Sequence, residues 1–162
     1  MPKAAQARTR PRFGDVIEIE TAKGLAYALY THRHTDPPRW GAVLRVMPGI
    51  FKTRPEDFAI LVELEPQFIT FFPLGAACNR HLVSIVASVD IPEHAKAFPT
   101  FRSRSSPGAR PGSQPYYFWD GKQEWKQNKL LPGQENFPIQ QIVNDTMLKI
   151  KIEKGWHHRD AL

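Results

Sequence analysis

Gly14-Asp15-Val16-Ile17-Glu18-Ile19-Glu20-Thr21-Ala22-Lys23-Gly24-Leu25-Ala26-Tyr27-Ala28-Leu29-Tyr30 sets the reading of the whole chain. Ile17 and Ile19 fall on one face of an extended segment, Glu18 and Glu20 on the other. Ala22-Lys23-Gly24 supplies a turn. Leu25, Tyr27 and Leu29 then alternate against Ala26, Ala28 and Tyr30. The pattern predicts an antiparallel hairpin built from the strand-like runs Phe13–Glu20 and Leu25–Thr31.

Further runs follow outward from this hairpin. Asp36-Pro37-Pro38 breaks the chain between His32 and Gly41. Ala42–Met47 is apolar on both faces except at Arg45, as a strand inside a sheet is. Thr53-Arg54-Pro55-Glu56 reads as a capping box, and Phe58, Leu61 and Val62 as the buried stripe of a short helix that Pro66 ends. Gln67–Phe72 is a short apolar strand, Pro73-Leu74-Gly75 a turn, and Leu82–Val89 a further buried strand. Ile91–Phe98 reads as irregular or as a short helical turn. Tyr116–Lys126 centres on Asp120-Gly121, a signature of tight hairpins. A two-residue loop there sets Trp119 opposite Lys122 and Tyr116 opposite Trp125. Ile139, Ile142, Val143 and Met147 recur with helical period, which predicts a C-terminal helix from about Pro138.

The expected fold is therefore α+β: a mostly antiparallel, strongly twisted sheet or partial barrel, with one short mid-chain helix and one C-terminal helix. Its 162 residues fit one domain, over about residues 13–156. Residues 1–12 read as a disordered basic arm, 99–115 as a flexible Arg/Pro/Ser-rich loop and 157–162 as a polar tail.

The net charge is +6. Lys3, Arg8, Arg10 and Arg12 lie in the arm, and Arg102, Arg104 and Arg110 in the loop; removing those seven from the +6 leaves −1 for the rest. A nearly neutral core with basic extensions does not by itself mark a nucleic-acid binder. The single cysteine, Cys78, excludes an internal disulfide and lies among small apolar residues, where a buried thiol is expected. No run reaches the ~18 apolar residues of a membrane span, and the first residues lack the apolar core of a secretory signal. A cytoplasmic protein is expected.

Catalytic patterns are weak. Gly75-Ala76-Ala77-Cys78 does not fit a nucleophile elbow, and no glycine pattern fits a phosphate loop. His32 and His34 share one side of a strand end with Asp36 nearby, which is short of a closed metal site. Glu93-His94 lies in a surface turn, and His157-His158 in the tail. No enzyme activity, cofactor or metal is expected. Tyr117, Trp119 and Trp125 near Lys122, Lys126 and Lys129 form the aromatic and basic mixture that holds single strands, against which stands a role for these rings in the core. Arg39-Trp40 in a Pro-containing loop has the composition of a protein-interface anchor, against which stands a Trp folded onto the sheet edge. The candidate binding residues are Arg39, Trp40, Tyr117 and Trp119.

The ordered set Phe13–Ile19, Gly24 with Leu25-Ala26-Tyr27-Ala28, Phe71-Phe72-Pro73-Leu74-Gly75, and Trp119-Asp120-Gly121 with Trp125 and the apolar C-terminal segment resembles the immunity protein 26 family of bacterial polymorphic-toxin systems. The resemblance spans about residues 13–155. It implies a small cytoplasmic α+β protein, without enzymatic activity, that binds and neutralises a cognate toxin, often a nuclease. It assigns no toxin-binding residues, and the 99–115 segment has no place in it. The alternative is a small β-rich nucleic-acid-binding domain. A metal-dependent hydrolase using His32 and His34 is the third reading.

Overall fold

The structure is a computed structural model that describes residues 9–103, 110 and 113–161. The opening hairpin forms as its alternation requires. β1 (Asp15–Thr21) pairs with β2 (Gly24–His34), with Ile17 opposite Ala28 and Ile19 opposite Ala26. β3 (Gly41–Val46) adds to β2, β4 (Phe68–Phe72) to β3, and β5 (Ser84–Ser88) to the far side of β1. The result is a five-stranded antiparallel sheet of order β4-β3-β2-β1-β5. A second sheet of three strands has the order β6 (Phe101–Arg102), β7 (Tyr116–Trp119), β8 (Glu124–Gln127). Neither closes into a barrel.

The larger sheet is buried on both faces. On one, Ile17, Ile19, Leu44, Val46, Phe68 and Phe72 meet two helices, α2 (Leu74–Asn79) and α3 (Asp145–Glu153). On the other, Val16, Tyr27, Leu29 and Met47 pack under the four-residue helix α1 (Phe58–Leu61) and Val62. Farther along that second face, Val43 and Phe71 pack against Phe101 and the rings around Trp119. Double coverage explains why β3 is apolar on alternate residues of both parities. It also covers Glu18, which alternation alone sets on the polar face of β1. Glu18 is buried, its carboxylate takes a bidentate contact from Arg54 at 2.8 and 3.1 Å, and the Tyr27 hydroxyl donates to it at 2.9 Å. The Arg54 hydrogen bond holds the Glu18 carboxyl below the usual range against the opposing effect of burial. Burial first, and the Glu18 bond second, push the Tyr27 phenol up to about 12.

Several local expectations are replaced. The Thr53–Glu56 capping box does not form; Asp57 caps α1, its Oδ1 accepting from the backbone of Ala59 and Ile60. Pro73-Leu74-Gly75 opens α2 rather than a simple turn. β5 is a half-exposed edge strand, not a buried one. The β7–β8 loop has four residues, so Trp119 faces Glu124 and Phe118 faces Trp125. A two-residue shift preserves the alternation: Tyr116 and Phe118 point into the core, and Trp125, though part-exposed, stacks on Phe118.

The segment read as the start of the C-terminal helix is extended instead. Arg102 N–H donates to the Pro138 carbonyl and Gln140 N–H to the Arg102 carbonyl, both at 2.8 Å. Phe71 N–H then donates to the Gln141 carbonyl, and Val143 N–H to the Phe71 carbonyl. Residues 138–143 thus run parallel to β6 at one end and to β4 at the other, joining the edges of the two sheets. Backbone pairing at both edges outweighs the helical spacing of Ile139, Ile142 and Val143. The helix begins only after Asn144, whose Oδ1 accepts from Met147 N–H.

Two basic residues assigned to flexible segments are core anchors. Within 99–115, Phe101 and Arg102 form β6 and are fully buried. Arg102 Nη2 donates to the backbone carbonyls of Glu135 (3.1 Å) and His158 (2.8 Å). In the presumed polar tail, His158 is buried and accepts the Ile69 N–H at Nε2 (2.9 Å). The other parts of the arm and loop readings, residues 1–8, 104–109 and 111–112, lie outside the described residues, as does Leu162 of the tail.

Candidate protein-binding surface

Trp40 is delivered to the surface by the loop between β2 and β3. Asp36-Pro37-Pro38 carries the chain out of β2 through a cis Pro37–Pro38 bond, and Gly41 returns it into β3 with a φ of +85°. Trp40 rests on Phe71 (ring centroids 5.4 Å apart) and faces Trp119 (6.3 Å), yet remains part-exposed. The indole is folded onto the sheet edge, as one of the two readings expects, while solvent still reaches part of the side chain.

Trp119 ends β7 and is fixed by its neighbours. His34 meets it edge-on at 4.7 Å and Phe98 at 5.6 Å. The turn that follows is shaped by Asp120, whose Oδ1 accepts from the backbone of Lys122 (2.9 Å) and Gln123 (2.8 Å). Gly121 adopts a φ of +95°, and a Cβ there would sit 2.9 Å from the Phe98 ring. Backbone conformation and close approach both require glycine at this position.

Two depressions flank Trp40. One, of about 370 Å³, is lined by Trp40, Trp119, His34, Asp36, Lys122 and Glu124. The other, of about 440 Å³, is lined by Trp40, Tyr30, Arg10, Arg33, Pro73 and Ile142. Ile142 is 53% exposed there, an apolar side chain left in solvent beside the indole. Arg39 is exposed next to Trp40. The structure thus brings together three of the four nominated residues as one neighbourhood: Trp40 and Trp119 in ring contact, and Arg39 adjoining in sequence. Tyr117 is exposed two residues back along β7 and lines neither depression. Arg10, Arg33 and Ile142 were not legible as part of this surface, because they come from the segment before β1, the end of β2 and the segment joining the sheets.

Other candidate groups have structural partners. His32 Nε2 lies 2.8 Å from the Lys96 carbonyl and Nδ1 2.8 Å from Thr31 Oγ1, and burial lowers its pKa. His34 packs on Phe98 and Trp119. Among the described residues no group of three His, Cys, Asp or Glu side chains is placed to hold a metal. Glu93 pairs with Lys96 at 2.8 Å, leaving His94 at 3.9 Å from Glu63. Burial pushes the Cys78 thiol up to about 11, which keeps it protonated and unreactive near neutrality.

The arrangement offers apolar and π surface, hydrogen-bond donors and mixed charge, which is the composition of protein interfaces enriched in Trp, Tyr and Arg. No family model, curated protein or solved structure matches the chain. Among the described residues no helix is long and apolar enough to cross a membrane.

Proposed function

We propose that this chain is an immunity protein of the bacterial cytoplasm that binds a cognate toxin, possibly a nuclease, and blocks it by direct contact, without catalysis of its own. The observation that carries this reading is Trp40, a part-exposed indole braced on Phe71 and Trp119 with open depressions on both sides. A braced aromatic loses little conformational freedom on binding, which is the property of an interface anchor. The resemblance to the immunity protein 26 family supplies the partner class. Glu18 is not offered to a partner, since Arg54 and Tyr27 occupy its carboxylate. Contact is placed instead at Arg39, Trp40 and Trp119, with Arg10 and Arg33 adding positive charge on one side.

The test is co-expression with the product of the adjacent gene. The reading expects rescue of growth and a stoichiometric complex that Trp40→Ala weakens. No rescue and no complex would remove it.

One observation favours a second reading, a nucleic-acid-binding domain. Arg10 and Arg33 share a depression with Tyr30 and Trp40, a combination that suits a stacked base and its phosphate. That reading expects single-strand binding that collapses as salt rises. Absence of binding at low ionic strength would exclude it.

A further inference from the structure

Arg45 is the odd residue of β3. It lies on the face shared by Val43 and Ile69, it is only 7% exposed, and burial lowers its pKa. Among the described residues its guanidinium makes no hydrogen bond and no ion pair, and its Nε is buried without a partner. A buried cation ordinarily has a bonded counter-charge, because removing an unpaired charge from water is unfavourable. Arg45 opens instead on a cleft of about 480 Å³, remote from Trp40 in its lining, whose other walls include Gln67, Asn136, His157, His158 and Arg159. Glu65 also lines it and attracts Arg45 through space, but does not reach salt-bridge distance.

We propose that this cleft is a carboxylate-binding site in which Arg45 is the principal cation. A guanidinium presents paired donors that match an oxyanion. The Lys, Arg, Asp and Glu residues of the cleft are Arg45, Arg159 and Glu65, a formal charge of +1. That balance suits a monoanion, and Glu65 opposes the second negative charge of a phosphate. Asn136 and Gln67 bring amide groups to the same walls. One of these is already committed: Gln67 Nε2 donates to the carbonyls of Lys151 and Trp156, which fixes its orientation. The site goes beyond the toxin-binding reading and stands without it.

The experiment is a titration of the full-length protein with sodium acetate, and in parallel with inorganic phosphate, at constant ionic strength set by chloride. The Arg45 Nε–H resonance is followed by ¹H–¹⁵N NMR. A saturable movement with acetate, weaker with phosphate and absent with chloride alone, is expected. Arg159→Gln, an exposed substitution that leaves the core intact, is expected to weaken acetate binding roughly fivefold, and Glu65→Gln to strengthen it. Arg45→Lys, checked for folding by thermal melting, is expected to abolish the acetate response that the remaining cleft resonances show. Three results would overturn the proposal. One is no saturable response to acetate. Another is phosphate binding in preference to acetate. The third is a shift of the Arg45 resonance by Glu65→Gln alone with no acetate response in the unsubstituted protein, which would make Glu65 the occupant.

Discussion

His158 is an uncharged ring in a position that accepts no other form. Ile69 N–H points at its Nε2 at 2.9 Å and Ile139 N–H approaches Nδ1 at 3.2 Å, so a doubly protonated ring would lose its acceptor and face two donors. A neutral ring has one lone pair in its plane, and the shorter contact takes it. Burial first, and the Arg102 charge second, bring the His158 pKa down to about 3. A folded pKa below the unfolded one means stability that is complete above pH ~6.5 and is lost as pH falls toward 3. His32 acts in the same direction. Urea unfolding between pH 7.5 and 4.5 should therefore show stability falling, by up to about 1.4 kcal/mol per pH unit from His158. His158→Gln should flatten this slope, and an unchanged slope would contradict the assignment. A second residue prediction concerns Tyr27, whose hydroxyl donates to the buried Glu18 carboxylate. Tyr27→Phe should cost about 1.5–3 kcal/mol by urea unfolding, the range for hydrogen bonds to charged groups. Neither role was legible in the sequence. His158 resembles a tail residue and Glu18 a solvated one, and their partners Ile69 and Arg54 lie 89 and 36 residues away.

Residues 138–143 do the work of a strand without being assigned to either sheet. They satisfy the outer edge of β4 and the outer edge of β6, so they remove two exposed edges at once. Gln140→Pro deletes the N–H that the Arg102 carbonyl accepts and should destabilise the fold by about 1–3 kcal/mol. Amide hydrogen exchange on the unsubstituted protein should find the Gln140 and Val143 N–H groups protected, and rapid exchange at both would refute the pairing. The contrast with the opening hairpin shows what periodicity can carry. β1 and β2 are neighbours in sequence, and a period of two with a turn between them fixes both partners. Ile139, Ile142 and Val143 fit a helix equally well when read alone, because the strands they pair with were formed about 35 to 70 residues earlier. The same limit applies to α1. Phe58, Leu61 and Val62 are legible as a buried stripe, while Asp57 caps in place of Thr53 because of where the chain enters the helix.

The molecule is two sheets, with α2 and α3 on one face of the larger and α1 on the other, and its aromatic residues concentrate where the smaller sheet meets that second face. Phe71, Phe98, Phe101 and Trp119 form the base, and Trp40 is the ring of this group that opens on both surface depressions. The class of fold and two of these rings were readable from patterning and loop composition. The depressions around Trp40 were not, since their walls come from five separated segments. As an anchor, Trp40 should contribute at least about 2 kcal/mol to complex formation, close to a 30-fold change in Kd on truncation. Arg39→Ala should weaken binding less and leave thermal stability unchanged, because Arg39 is exposed. The most direct measurement is the dissociation constant of the purified chain for the adjacent gene's product, for the unsubstituted protein and for Trp40→Ala with its folding verified by circular dichroism. Tight one-to-one binding, weakened about 30-fold or more by Trp40→Ala, is the predicted result. Binding that Trp40→Ala leaves unchanged, or no binding at all, would contradict the account.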